Sequence, residues 1–122
     1  MKKTLIACTL ALAGSLAAAH GDAAPQHGGI VQMADDLGFE LVNEAGGLAI
    51  YLTDHGKSLA AAGVSGKLTL LRGGAKQEAE LKAAADGKLL RAAGIRAEPG
   101  AKLVAVLNGV RGKTVTVRWS LK

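Results

Sequence analysis

Cysteine is almost absent from these 122 residues: the single one, Cys8, stands near the amino terminus, and no thiol follows it. Disulfides, thiolate metal centres and cysteine nucleophiles are therefore excluded from residue 9 onward. Aromatics are equally scarce, with one Phe, one Tyr and one Trp (Phe39, Tyr51, Trp119), too few for the stacking platform of a single-strand nucleic acid or sugar binder. Between residues 20 and 56 there is no Lys or Arg at all, although that stretch holds six acids (Asp22, Asp35, Asp36, Glu40, Glu44, Asp54) and all three histidines. Downstream of Ala24 no apolar run approaches the roughly 20 residues of a bilayer-spanning helix, so stable membrane insertion is not expected.

What is present begins with an export signal. Lys2 and Lys3 precede an apolar run from Leu5 to Leu16 and the small residues Ala17, Ala18 and Ala19, the order of a secretory leader. Cleavage after Ala19 leaves 103 residues and cleavage after Ala24 leaves 98, either of which is one small domain and neither a multidomain enzyme. Leu5-Ile6-Ala7-Cys8 resembles a lipobox, but most of the apolar run follows the cysteine, which favours the cleaved, periplasmic form.

Without the leader lysines the basic excess shrinks, which weakens any case for nucleic acid. The remaining charge is split along the chain, because residues 57–122 carry 13 basic and only four acidic residues.

From Gly38 onward apolar residues recur with period two between glycine-rich breaks. The clearest case is the carboxy terminus, where Val115, Val117, Trp119 and Leu121 alternate with Thr114, Thr116, Arg118 and Ser120. Comparable runs are Phe39 to Asn43, Leu48 to Leu52, Lys67 to Arg72, Gln77 to Lys82, Lys88 to Ala93 and Leu103 to Leu107. Turns are expected at Glu44 to Gly47, Arg72 to Gly74, Asp86-Gly87, Glu98 to Gly100 and Asn108-Gly109, and the alanines of Lys57 to Ala62 favour a single helical turn. The pattern predicts an all-β chain: a small antiparallel β-sandwich or partly open barrel of about seven strands, preceded by a cleaved signal peptide. Its expected organisation is a signal peptide at 1–19, a flexible arm at 20–29 and a single β domain at 30–122.

Enzymatic constellations are missing, and no catalytic role is expected. Gly63-Val64-Ser65-Gly66 lacks the spacing of a nucleophile elbow and leads into a strand, and Gly73-Gly74 has neither the third glycine nor the Lys-Ser/Thr pair of a phosphate cradle. Lys76, Glu78, Glu80 and Lys82 fall on one strand face as a solvated, charge-balanced row.

Metal chemistry remains. Its candidate ligands are His20 and Asp22, His27, and Asp54 and His55, nitrogen and oxygen donors in an acidic segment that suits a copper or zinc ion. Were His20 the mature amino terminus, its amine and ring nitrogen could chelate copper(II) together. None of these pairs has the spacing that sets two ligands on one element, so histidines that merely hydrogen-bond their own loops are an equal alternative. Met33 is a potential soft donor, but a lone Met in an apolar stretch more often packs.

The order Pro25-Gln26-His27-Gly28-Gly29, Phe39-Glu40-Leu41-Val42, Ile50-Tyr51-Leu52, Gly56-Lys57-Ser58-Leu59 and Leu68 to Gly74 resembles the small β domain at the amino terminus of some periplasmic adaptor subunits of heavy-metal efflux systems of the resistance-nodulation-division type. The resemblance covers residues 25 to about 91, and the helical hairpin, lipoyl-like domain and membrane-proximal barrel of those adaptors are not in these 122 residues. It implies a periplasmic accessory that binds or delivers a metal ion, or that docks on an efflux adaptor or other envelope protein, with His27 as the motif histidine. A metal-free interaction module is the alternative.

Overall fold

The computed structural model describes residues 24–122, and all regular structure among them is strand. The nine strands are β1 (Ile30–Ala34), β2 (Leu37–Glu44), β3 (Gly47–Asp54), β4 (Lys57–Leu59), β5 (Ser65–Arg72), β6 (Ala75–Ala83), β7 (Leu90–Ala93), β8 (Lys102–Val110) and β9 (Lys113–Ser120). The signal peptide expected at 1–19 and the first residues of the arm lie outside the described residues.

Each strand pairs antiparallel with its neighbour in the order β1-β2-β3-β7-β6-β5-β8-β9, with β4 paired to the end of β3 beside β7. The two ends of this order meet, because the indole N–H of Trp119 on β9 donates to the Ile30 carbonyl of β1 at 3.0 Å. The result is one sheet rolled into a nearly closed barrel rather than two sheets facing each other as a sandwich. Rolling leaves β1 and β9 side by side and removes most of the free edge that an open sheet would expose.

Period-two alternation decides what goes inside. Leu37, Phe39 and Leu41 of β2, Leu48, Ile50 and Leu52 of β3, Leu68 and Leu70 of β5, Leu103, Ala105 and Leu107 of β8, and Val115, Val117 and Trp119 of β9 all point inward and are buried. With almost no aromatics to fill it, the barrel interior is packed by leucine and valine, and each side chain removed from water contributes about 1.5–3 kcal/mol. Trp119, expected on the inward face of the last strand, is 2% exposed.

Three local expectations are corrected. Lys57–Leu59 forms strand β4 instead of the first half of a helical turn, since Thr53 and Asp54 of β3 offer a backbone edge directly opposite Ser58 and Lys57. β1 adds a strand that alternation alone did not mark. Asn108-Gly109 is not the hairpin turn; it is a bulge inside β8, and the chain reverses at Arg111-Gly112. Gly109 is required at the bulge because a Cβ there would lie 2.6 Å from the Gly63 carbonyl oxygen. Two-residue turns with both residues at positive φ occur at Asp35-Asp36, His55-Gly56 and Arg111-Gly112, the geometry that matches strand twist in a tight hairpin.

Candidate functional site

The residues of β2 and β3 that alternate with the core side chains face the outside of the barrel, where Glu40 of β2 stands opposite Tyr51 of β3. A carboxylate at that position should be wet. Glu40 is instead only 3% exposed, because residues 26–29 fold across the outer face and cover it.

The arm is held by that carboxylate. The backbone N–H of Gln26 donates to Oε1 at 3.0 Å, and those of His27 and Gly29 donate to Oε2 at 2.9 and 2.7 Å. The His27 ring adds a fourth contact, Nδ1 to Oε1 at 3.1 Å. Two glycines make the fold-back possible: Gly28 sits at φ +74°, and a Cβ on Gly29 would lie 2.2 Å from the Leu41 carbonyl oxygen. Burial pushes the Glu40 carboxyl up, but the backbone donors of Gln26, Gly29 and His27 and the His27 ring outweigh it, and the carboxyl is held below its ordinary range. Part of the arm expected to be flexible is thus a docked segment from Gln26 to Gly29.

His27 is fixed on two sides. Its ring stacks on Tyr51 with centroids 3.6 Å apart and planes 11° from parallel. Tyr51 in turn donates its hydroxyl to Glu44, which also receives the Arg91 guanidinium at 3.2 Å, while Arg96 donates to the Glu44 carbonyl at 3.3 Å. Burial first, and then the Glu44 hydrogen bond, push the Tyr51 phenol up to about 12.

The second histidine lies at the adjoining hairpin. The Gln26 side-chain amide donates to the Gly56 carbonyl at 2.9 Å, tying the arm to the His55-Gly56 turn. His55 Nδ1 meets Asp54 Oδ1 at 2.7 Å. Asp54 also accepts from Arg111 of the β8–β9 turn, and first that bond and then His55 hold its carboxyl below the usual range.

A carboxylate can only accept a hydrogen bond, so each Nδ1 that faces one carries the proton. Both imidazoles are thereby set in the tautomer whose Nε2 bears the free lone pair, the arrangement that partner carboxylates impose on metal-ligating histidines. The two rings are linked through the arm, whose Gln26 amide reaches the Gly56 carbonyl beside His55, whereas Asp54 and the Tyr51 under His27 stand three residues apart on β3, about 10 Å of strand and on opposite parities. Among the described residues no group of three or more His, Cys, Asp and Glu side chains is placed to hold a metal ion. Of the expected ligands, His27, His55 and Asp54 therefore come to one region without converging on a point, and His20 and Asp22 lie outside the described residues.

Sequence reasoning did not find Glu40, Gln26 or Tyr51 as site residues. Glu40 occupies an outward strand position where an acid is ordinary, and only the close Gly28-Gly29 pair hinted that the arm could approach β2. The chain matches no protein-family model, no curated protein and no solved structure.

Proposed function

We propose that this protein is an exported, non-enzymatic periplasmic accessory that binds copper or a similar divalent ion on the arm face of the barrel and assists heavy-metal efflux or resistance. The single observation that carries the reading is the pair of carboxylate-oriented imidazoles: His27 on Glu40 and His55 on Asp54, each with an Nε2 that makes no hydrogen bond among the described residues. In this reading His27 and His55 are the described nitrogen donors, Asp54 is a lesser oxygen donor because Arg111 already engages it, and His20 and Asp22 of the upstream segment complete the set.

Charge supports it as well. Residues 20–56 hold six acids and no Lys or Arg, and Asp35 and Asp36 of the β1–β2 turn form no ion pair among the described residues, which favours approach of a dication even though Glu44 and Asp54 are paired with Arg91 and Arg111. An open two-histidine face without a thiolate suits a carrier that takes up and passes on an ion better than a closed structural centre. The resemblance of residues 25 to about 91 to the amino-terminal β domain of heavy-metal efflux adaptors points to the same physiology.

Native mass spectrometry of protein purified from the periplasm tests the reading in one measurement. It should report a chain beginning at or after His20 that carries a copper or zinc ion after incubation with either salt. A chain that retains residues 1–19, or one that takes up neither ion, contradicts it.

A further inference from the structure

On the far side of the barrel a different surface is assembled. In the ring β1-β2-β3-β7-β6-β5-β8-β9, the strands β5 and β8 stand opposite β2 and β3. The pairing registers set their outer residues in rows: Lys76, Leu71, Lys102 and Ser120 in one, Glu78, Thr69, Val104 and Arg118 in the next, and Glu80, Lys67, Val106 and Thr116 in a third.

Three properties of these rows coincide. Leu71 and Val106 are 44% and 38% exposed, two of the four large apolar side chains so placed among the described residues. A concavity opens at the third row, between Lys67, Glu80, Lys82, Val106 and Asn108. The charges are uneven: Glu78 is taken by Lys67 and Lys76 and Glu80 by Lys82, whereas Lys102 and Arg118 form no ion pair among the described residues. An apolar strip of Leu71, Val104 and Val106 that ends at the concavity, with Lys102 and Arg118 beside it on β8 and β9, is complementary to an extended segment that alternates acidic and apolar residues. Two cations alone give little hold on an anionic bilayer. A second copy of this chain offers its unpaired acids among the described residues, Asp35, Asp36 and Asp86, only in turns and not in an extended acidic segment.

We infer that the outer face of β5, β8 and β9 is a docking surface for an acidic, extended protein segment, whose apolar side chains lie on Leu71, Val104 and Val106 and whose carboxylates meet Lys102 and Arg118. This inference is independent of metal binding, which concerns the opposite side of the barrel.

The test is a titration of isotope-labelled, metal-free protein with a capped synthetic peptide of alternating Glu and Leu, about ten residues long to match one strand. The amide signals of Leu71, Val104, Val106 and Arg118 should shift together, binding should weaken with salt, and the double variant Lys102→Glu, Arg118→Glu should lose affinity at least tenfold with its Trp119 fluorescence unchanged. A peptide with Lys in place of Glu should cause no shifts. Undiminished binding by the double variant, shifts confined to β2 and β3, or no shifts with the acidic peptide would overturn the assignment. So would binding to phosphatidylglycerol vesicles in place of the peptide, or salt-sensitive self-association mapped to the same residues.

Discussion

Replacing Glu40 by alanine removes one side chain and strands four donors. The three backbone hydrogen bonds from Gln26, His27 and Gly29 go to an ionised carboxylate, and at roughly 1.5–3 kcal/mol each they give a gross gain of about 5–9 kcal/mol. Ordering the four residues 26–29 opposes this by roughly 1–2 kcal/mol per residue, about 4–8 kcal/mol. The difference is small, about 1–2 kcal/mol, and it describes a segment that is docked but peels off before the barrel unfolds. Glu40→Ala should therefore lower global stability by no more than about 2 kcal/mol, because the freed amides turn to water, while abolishing local order. Native-state hydrogen exchange is the assay. The amides of Gln26, His27 and Gly29 should be protected in the parent protein and exchange freely in the variant, with the amides of β5 and β8 unchanged. Acid should have the same local effect: a carboxyl held below its ordinary value in the folded protein contributes stability that is complete above the unfolded value of about 4.5 and is lost as pH falls through the folded one. Unprotected arm amides in the parent, or protection that survives Glu40→Ala, would refute the reasoning.

Other perturbations should behave as follows. Gly29→Ala should release the arm as Glu40→Ala does, because its Cβ would be 2.2 Å from the Leu41 carbonyl oxygen; protection of Gln26 equal to the parent would count against this. Trp119→Ala should cost about 3–5 kcal/mol in chemical denaturation, since it empties a fully packed site and removes the seam hydrogen bond to Ile30. Tyr51 should ionise only near pH 12 by ultraviolet titration; its raised value means that the stability it contributes is complete below the ordinary phenol range and is lost as pH rises toward 12. A phenol that titrates near 10 would contradict its burial against Glu44.

The strands were legible wherever one face is core and the other is water. β9, β2, β3, β5 and β8 announce themselves because Val115-Val117-Trp119 or Leu37-Phe39-Leu41 recur at every second residue. β1 was not, since Ile30-Val31-Gln32-Met33-Ala34 mixes its polar and apolar residues and leaves Ile30 and Met33 exposed on both parities. β4 is too short for any period to register, and its alanine-rich sequel invited a helix that pairing with β3 forestalls. The choice between sandwich and barrel depends on which strands meet across the molecule, and the contact that closes the ring, Trp119 to Ile30, spans 89 positions. The site shows the same division. The acidic, base-free stretch containing His27 and His55 could be read directly, but the burial of Glu40 arises only when residues 11 to 14 positions upstream fold back over it.

Isothermal titration of copper(II) and zinc tests the central claim most directly, with the parent compared to His27→Ala, His55→Ala and the double variant in protein whose amino terminus has been established. The proposal predicts stoichiometric binding by the parent, weaker binding by each single variant, still weaker binding by the double variant, and a decline on acidification because imidazole ligates only as the neutral base. Equal affinity of the parent and the double variant, or no heat with either ion at high-micromolar protein, would contradict a metal-binding role for this face.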